Sequence, residues 1–460
     1  MMPHPAMRID ASIPRVPGVP LFGNLLDFRE DRARLLVRIA REFGDIASVR
    51  IGFFTAVVVS APELAHQVLV EHEDAFVKAP GLSIFARPLL GNGLLTSEKA
   101  FHRRQRRMMS PMFIHKRIAH YAEVMASRAE STASKWRDGE TINVAAEMMA
   151  LTLEIVGKTL FDAEVGEEAA EIGHALTAAM EHIVGSINSL VPIPPSWPTP
   201  ANRRNRKAVA RLDETIYRMI EERRGSAIER NDLLSMLLAA RDEEEKSDAG
   251  SGMDDRQVRD EAMTLFLAGH ETTANAMAWA LYLLAQTSHV HARMTREIDE
   301  ALGGRTPTID DLPKLPYTLR VFKEAMRIYP PAYVVARLAE RDVVIGGRTI
   351  KRGTVVMVNV IGMQRRASIF ADPERFDPDR FAPEAEKALP RFAYLPFGAG
   401  PRVCIGNHFA LMEGQLLLAT IGQRVRLELP AGLRVEVEPL VVLRPRGGIP
   451  MRVRRRAGQG

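Results

Sequence analysis

A mostly helical α+β fold with small β-sheets is the class this sequence predicts, and three observations carry it. From about residue 98 to 330, apolar residues recur with the 3.6-residue period of helices. β-branched runs near 46–60 and 343–360 flank that region and are too short for large sheets. No clean linker separates the helical middle from the mixed flanks. Residues 21–460 therefore read as a single domain behind a proline-rich lead-in over 1–20.

The elements follow in order. Pro14, Pro17 and Pro20 stiffen the lead-in, because proline fixes φ and withholds an N–H. Residues 46–50 and 55–60 around Gly52 predict a hairpin, and Pro62 opens a helix where the first turn tolerates proline. A long loop is expected over 76–96. Within the helical middle, Pro192, Pro194, Pro195, Pro198 and Pro200 interrupt the pattern, as does the acidic, Gly/Ser-containing stretch 242–255. Residues 253–286 read as one long helix, apolar nearly all round and so expected to be central. Helices over 288–302 and 315–329 end at Gly303-Gly304 and Pro330-Pro331. After that come strands over 343–345 and 354–360, an irregular stretch over 372–390, a helix over 408–422 and alternating β segments over 425–454.

Composition narrows the function classes. With 46% hydrophobic residues among 460, the chain can bury a large core; charged residues at 26% exclude wholesale disorder. The single cysteine, Cys404, excludes an internal disulfide framework and any multi-cysteine zinc or iron–sulfur site. The net charge of +5 is mild, and no nucleic-acid-reading motif accompanies it. Residues 1–20 carry Arg8, Asp10 and Arg15 rather than an apolar leader core, and no run of 18 uncharged apolar residues occurs. A cytoplasmic, monomeric protein without a membrane span is expected.

The most informative segment is Phe397-Gly398-Ala399-Gly400-Pro401-Arg402-Val403-Cys404-Ile405-Gly406. Its glycines and proline force a tight turn, and a helix is expected to begin near Cys404. A helix N-terminus favours a thiolate, and a thiolate suits a soft metal. Taken alone, a lone cysteine is more often a small buried hydrophobe. The loop as a whole, however, resembles the haem-binding signature Phe-x-x-Gly-x-Arg-x-Cys-x-Gly of the cytochrome P-450 superfamily. Phe397, Gly400, Arg402, Cys404 and Gly406 match every fixed position.

That resemblance implies a good deal. Cys404 would be the axial ligand of a haem b iron, Phe397 would shield its sulfur, and Arg402 would pair with a haem propionate. Gly398 would let backbone N–H groups approach the sulfur, and Gly406 would let the flat cofactor lie close. The implied fold is a mostly helical triangular prism with a long helix over the haem.

Other motifs support it. Ala268-Gly269-His270-Glu271-Thr272-Thr273 resembles the family's oxygen-activation motif: Gly269 would open space for dioxygen, Thr272 would hydrogen-bond it, and Glu271 would relay protons. A threonine bonded back to the preceding turn is the plain alternative. Glu324 and Arg327, at i and i+3, match Glu-x-x-Arg, and Arg380 would complete a structural triad. His102 and Arg106, four apart, would face a propionate, as would Arg337.

The implied reaction is monooxygenation of a lipophilic substrate such as a fatty acid, terpenoid, steroid or macrolide, the first two preferred. Residues 82–95, 183–193, 263–272 and 332–335 would line the pocket, with 192–200 as a lid or membrane-touching entrance. Only 56 residues follow Cys404, too few for a flavin reductase. Electrons derived from NAD(P)H would therefore arrive from a separate ferredoxin or flavodoxin-type partner, steered by Lys99, Arg103, Arg104 and Arg107. A peroxide-driven peroxygenase, a non-catalytic haem sensor and a haem-free structural protein are the alternatives.

Overall fold

The computed structural model describes residues 9–114, 118–162, 166–187, 193–194, 196–225, 232–242 and 252–456. Part of the lead-in, part of the proline-rich stretch (192 and 195) and most of the acidic stretch (243–251) lie outside the described residues. In chain order the longer helices are α1 (Leu25–Glu42), α2 (Lys99–Met109), α3 (Ala122–Lys135), α4 (Val144–Phe161), α5 (Gly166–Ile187), α6 (Pro200–Arg224), α7 (Asp255–Gln286), α8 (Ser288–Leu302), α9 (Pro316–Ile328) and α10 (Asn407–Arg424). The strands are β1 (Ile46–Ile51), β2 (Phe54–Val59), β3 (Phe76–Lys78), β4 (Thr141–Asn143), β5 (Val335–Ala339), β6 (Val343–Ile345), β7 (Arg348–Ile350), β8 (Val355–Val358), β9 (Val425–Glu428), β10 (Val437–Pro439), β11 (Leu443–Pro445) and β12 (Pro450–Arg455).

These elements divide into two compact units, each woven from separate stretches of chain. The first holds residues 1–83, 320–404 and 435–446 and is built on a five-stranded sheet of order β1-β2-β8-β5-β3. The expected hairpin is present, with Ile51 opposite Phe54 across Gly52, whose φ of +60° suits glycine. β2 and β8 run parallel through Val57↔Val356; the other neighbours are antiparallel. Period-2 alternation gives each face its own core. Val57, Val59, Val356 and Val358 pack with Leu64, Val68 and Leu395. Ala56, Val58, Val355 and Met357 pack with Leu36 and Ile39 of α1. The segment after β2 is not the loop expected over 76–96. It contains β3, a helical turn over Gly81–Phe85 and another over Arg87–Leu90. Short elements of that kind carry too little periodicity to be read from sequence.

The second unit holds residues 84–319, 405–434 and 447–460. The long helix α7 runs through it, buried from Val258 to Leu284 apart from one strip, as its all-round apolar composition requires. α4 packs along it, and α10, buried from Met412 to Gln423, packs against α3, α7 and α8. A three-stranded sheet, β4-β12-β9, closes this unit. The Arg-rich end belongs to it: Arg454 pairs with Glu428, and Arg456 with Asp299.

Candidate active site

The cysteine loop is shaped by its glycines. Gly398 and Gly400 have φ of +69° and +70°, where an L-side chain is strained. A Cβ on Gly400 would also lie 2.1 Å from the Leu69 carbonyl oxygen, so this position must be glycine for space as well as angle. The Cys404 N–H donates to the Phe397 carbonyl at 2.9 Å and closes the loop. A turn of 3-10 helix spans Gly400–Arg402, and α10 begins only at Asn407, with Gly406 as its N-cap. Cys404 therefore precedes the helix by three residues instead of opening it, because Pro401 and Gly406 punctuate the chain on either side.

Cys404 is exposed, and in the adjoining sequence Val403, Ile405, Phe409, Ala410 and Leu411 are half-buried, whereas α10 is buried from Met412 to Gln423. One soft sulfur ligand on a glycine-rich loop, followed in sequence by half-buried apolar side chains, fits a flat, largely apolar cofactor with a thiolate-bound iron.

The loop is approached through a buried polar core. The Arg327 guanidinium donates twice to Glu324, from Nε at 2.7 Å and Nη2 at 2.8 Å, and both side chains are 0% exposed. Arg380 Nε lies 3.4 Å from Glu324 Oε1, so the expected triad is assembled. The Asp377 N–H also donates to that oxygen. Arg327 further donates to the Gln364 and Arg375 carbonyls and stacks over Phe370. Burial pushes the Glu324 carboxyl up, and Arg327 opposes it. Gln364, missed in the sequence, joins this core to the cysteine loop. It donates to the Met326 and Arg327 carbonyls and accepts from the Leu395 N–H at 2.9 Å. Arg337 sits on β5, opposite Lys78 of β3.

In the other unit, Glu271 is buried on α7 and Thr272 half-buried. Thr272 Oγ1 donates to the Ala268 carbonyl at 2.6 Å, so the hydroxyl takes the back-bonded arrangement. Between Val258 and Leu284, only Ala268, Gly269 and Thr272 are not buried. At i, i+1 and i+4 they make one strip of small residues on a single side of the helix. A Cβ on Gly269 would lie 3.1 Å from Val156 of α4, so this glycine also permits close packing of the two helices. His270, assigned no role, is buried with Nδ1 3.1 Å from the Phe266 carbonyl, and its own carbonyl accepts from Thr152. On α2, His102 is buried and Arg106 half-buried, one turn apart. Arg104 and Arg107 of the same helix are both ion-paired to the buried Asp242, Arg107 through both carboxylate oxygens.

The chain is similar to several known proteins. The sequence model of the Cytochrome P450 family matches residues 14–449. Cyclooctatin synthase of Streptomyces melanosporofaciens is 39% identical over 428 residues, 93% of this chain and 92% of that protein. Pentalenene oxygenase of Streptomyces avermitilis is 36% identical over 405 residues, 87% of this chain and 86% of that one. Among solved structures, the cytochrome P450DA heme domain superposes with a TM-score of 0.88 at 30% identity and covers 98% of both chains. The chain belongs to the cytochrome P450 family. It is an oxidoreductase of the monooxygenase type, which acts on a small molecule with a haem iron, dioxygen and externally supplied electrons. Among the described residues, no helix is long and apolar enough to cross a membrane.

Proposed function

We propose that this protein hydroxylates or epoxidises a terpenoid, with Cys404 as the thiolate ligand of haem b and electrons from a separate ferredoxin or flavodoxin-type partner. The observation that carries the site reading is the strip of Ala268, Gly269 and Thr272 on an otherwise buried helix. Small side chains there leave room beside a hydroxyl and a buried acid. The substrate class rests on two relatives whose names, cyclooctat-9-en-7-ol 5-monooxygenase and pentalenene oxygenase, specify terpenoid skeletons. Mainly aliphatic segments over 82–95 and 263–272 agree with such a ligand.

When bound, the haem supplies the oxidising chemistry. The chain's own residues do the rest. Cys404 offers the anionic sulfur, held by the Phe397–Cys404 backbone bond. Thr272 would exchange its bond to the Ala268 carbonyl for one to dioxygen, and Glu271 would relay protons from solvent. By the family's pattern His102, Arg106, Arg337 and Arg402 would hold the propionates as donors. Gly406 keeps the start of α10 free of a Cβ. A cytoplasmic monomer is the form we expect.

The test is turnover of a panel of terpenoids, fatty acids and steroids by the haem-loaded enzyme, with a surrogate ferredoxin system in one arm and hydrogen peroxide in the other. Oxygenated terpenoid formed with ferredoxin and lost in Thr272→Ala supports the reading. Products from fatty acids or steroids alone would refute the substrate class, and equal turnover with peroxide would refute the partner-dependent route.

A further inference from the structure

Residues 91–97 are held against α7 by a polar clasp that the reaction itself does not call for. The Asn92 N–H donates to Asp260 Oδ2 at 2.7 Å, and the Leu94 N–H donates to Glu261 Oε2 at 2.7 Å. Both carboxylates are buried, at 4% and 0% exposure. Their other oxygens are also engaged: Arg259 donates to Asp260 Oδ1 at 2.9 Å, and Gln257 donates to Glu261 Oε1 at 2.7 Å. Gln257 also reaches the Asn92 carbonyl.

The approach is close enough to require glycine at two positions. A Cβ on Gly91 would lie 2.0 Å from the Asp260 carboxylate, and one on Gly93 would lie 2.2 Å from Thr264 Oγ1. Gly91 also has φ of +53°. The loop is tight within itself, since Thr96 Oγ1 donates to the Gly91 carbonyl and the Ser97 N–H to that of Gly93. Arg259 extends the network outward to Asp213 of α6, to which its Nε donates at 2.7 Å. Two buried carboxylates are a costly way to pin a loop unless its position matters. Next to the clasped Leu94, Leu95 exposes an apolar side chain.

We propose that Asp260 and Glu261 are positioning residues that fix residues 91–97, with Leu95, as one wall of the substrate pocket, and that Arg259 ties this wall to α6. The proposal rests on the reading above that this stretch and the middle of α7 line the pocket. Neither acid touches the reacting atoms. They act by denying the loop other positions, so removing them loosens substrate placement rather than the chemistry.

The experiment uses haem-loaded full-length protein, wild type, Asp260→Ala and Glu261→Ala, with Asp260→Asn and Glu261→Gln as variants that keep an acceptor oxygen. Hydrogen exchange is read on the peptide covering 91–97. Lipophilic-ligand affinity is read from the spin-state shift with a cyclic terpene hydrocarbon, and product ratios come from turnover. Each alanine variant is expected to exchange about tenfold faster there, the loss of roughly one hydrogen bond. Ligand affinity should fall several-fold and the product ratio should broaden, while the conservative variants recover most of both. Unchanged exchange overturns the clasp. Faster exchange with unaltered affinity and product ratio overturns the positioning role. A wild-type protein with no spin-state response overturns the pocket reading, and the pocket wall with it, while the exchange arm still reports on the clasp.

Discussion

At the scale of single residues, burial decides which polar groups are functional and which are structural. Glu413 of α10 is 0% exposed, and burial pushes its carboxyl up to about 8, only partly offset by the Thr273 hydroxyl. Its folded pKa lies above its unfolded value, so its contribution is fully present below the unfolded pKa and is lost as pH rises towards 8. Stability should fall by about 1.4 kcal/mol per pH unit across that window from this group alone. Glu413→Gln should flatten the slope between pH 5 and 8 in denaturant titrations; an unchanged slope would contradict it. The Glu324–Arg327 pair behaves differently, because each charge compensates the other in a dry core. Arg327→Ala should cost about 3–5 kcal/mol, the penalty of an abandoned buried carboxylate, and chemical denaturation with a haem-content assay measures it.

At the scale of elements, local chemistry was legible where a fixed short spacing carries it. The cysteine loop, the i, i+3 pair and the small-residue motif on α7 all stand within ten residues of sequence. The hairpin around Gly52 and the helix over 288–302 were readable for the same reason. What the sequence hid depends on long-range contacts: Gln364 reaches 31 residues forward to Leu395, and Asp260 reaches 168 residues back to Asn92. Nothing in a local window marks such partners. The helix over 408–422 was readable and starts at Asn407, but Cys404 does not open it, because Pro401 and Gly406 hold Cys404 in a turn that precedes the helix.

The loop also yields a paired test. Gly398 and Gly400 share a positive φ, but only Gly400 lacks room for a Cβ. Gly398→Ala should cost about 1–2 kcal/mol from backbone strain. Gly400→Ala should cost clearly more and lower haem occupancy, as measured by thermal unfolding and the ratio of Soret to protein absorbance. Equal costs would mean that the Leu69 contact is dispensable.

At the scale of the whole molecule, the mild net charge of +5 matters through its distribution. Of the four cations expected to steer a redox partner, Arg104 and Arg107 share one carboxylate, Asp242, which offsets only one of their two charges. Lys99 and Arg103 are also exposed, so the steering expected of this helix is tested at them. Charge reversal at those two should slow electron delivery from an acidic ferredoxin at low salt and flatten its salt dependence, as read by stopped-flow reduction. Rates that do not change would place the partner elsewhere.

The central claim, that the lone cysteine is the haem ligand, is tested most directly by the carbon monoxide difference spectrum of the reduced protein. A thiolate-type Soret band in the wild type that is lost in Cys404→Ser, with haem still bound, is the result expected. The same band surviving in Cys404→Ser, or no haem in the wild type, would contradict the account.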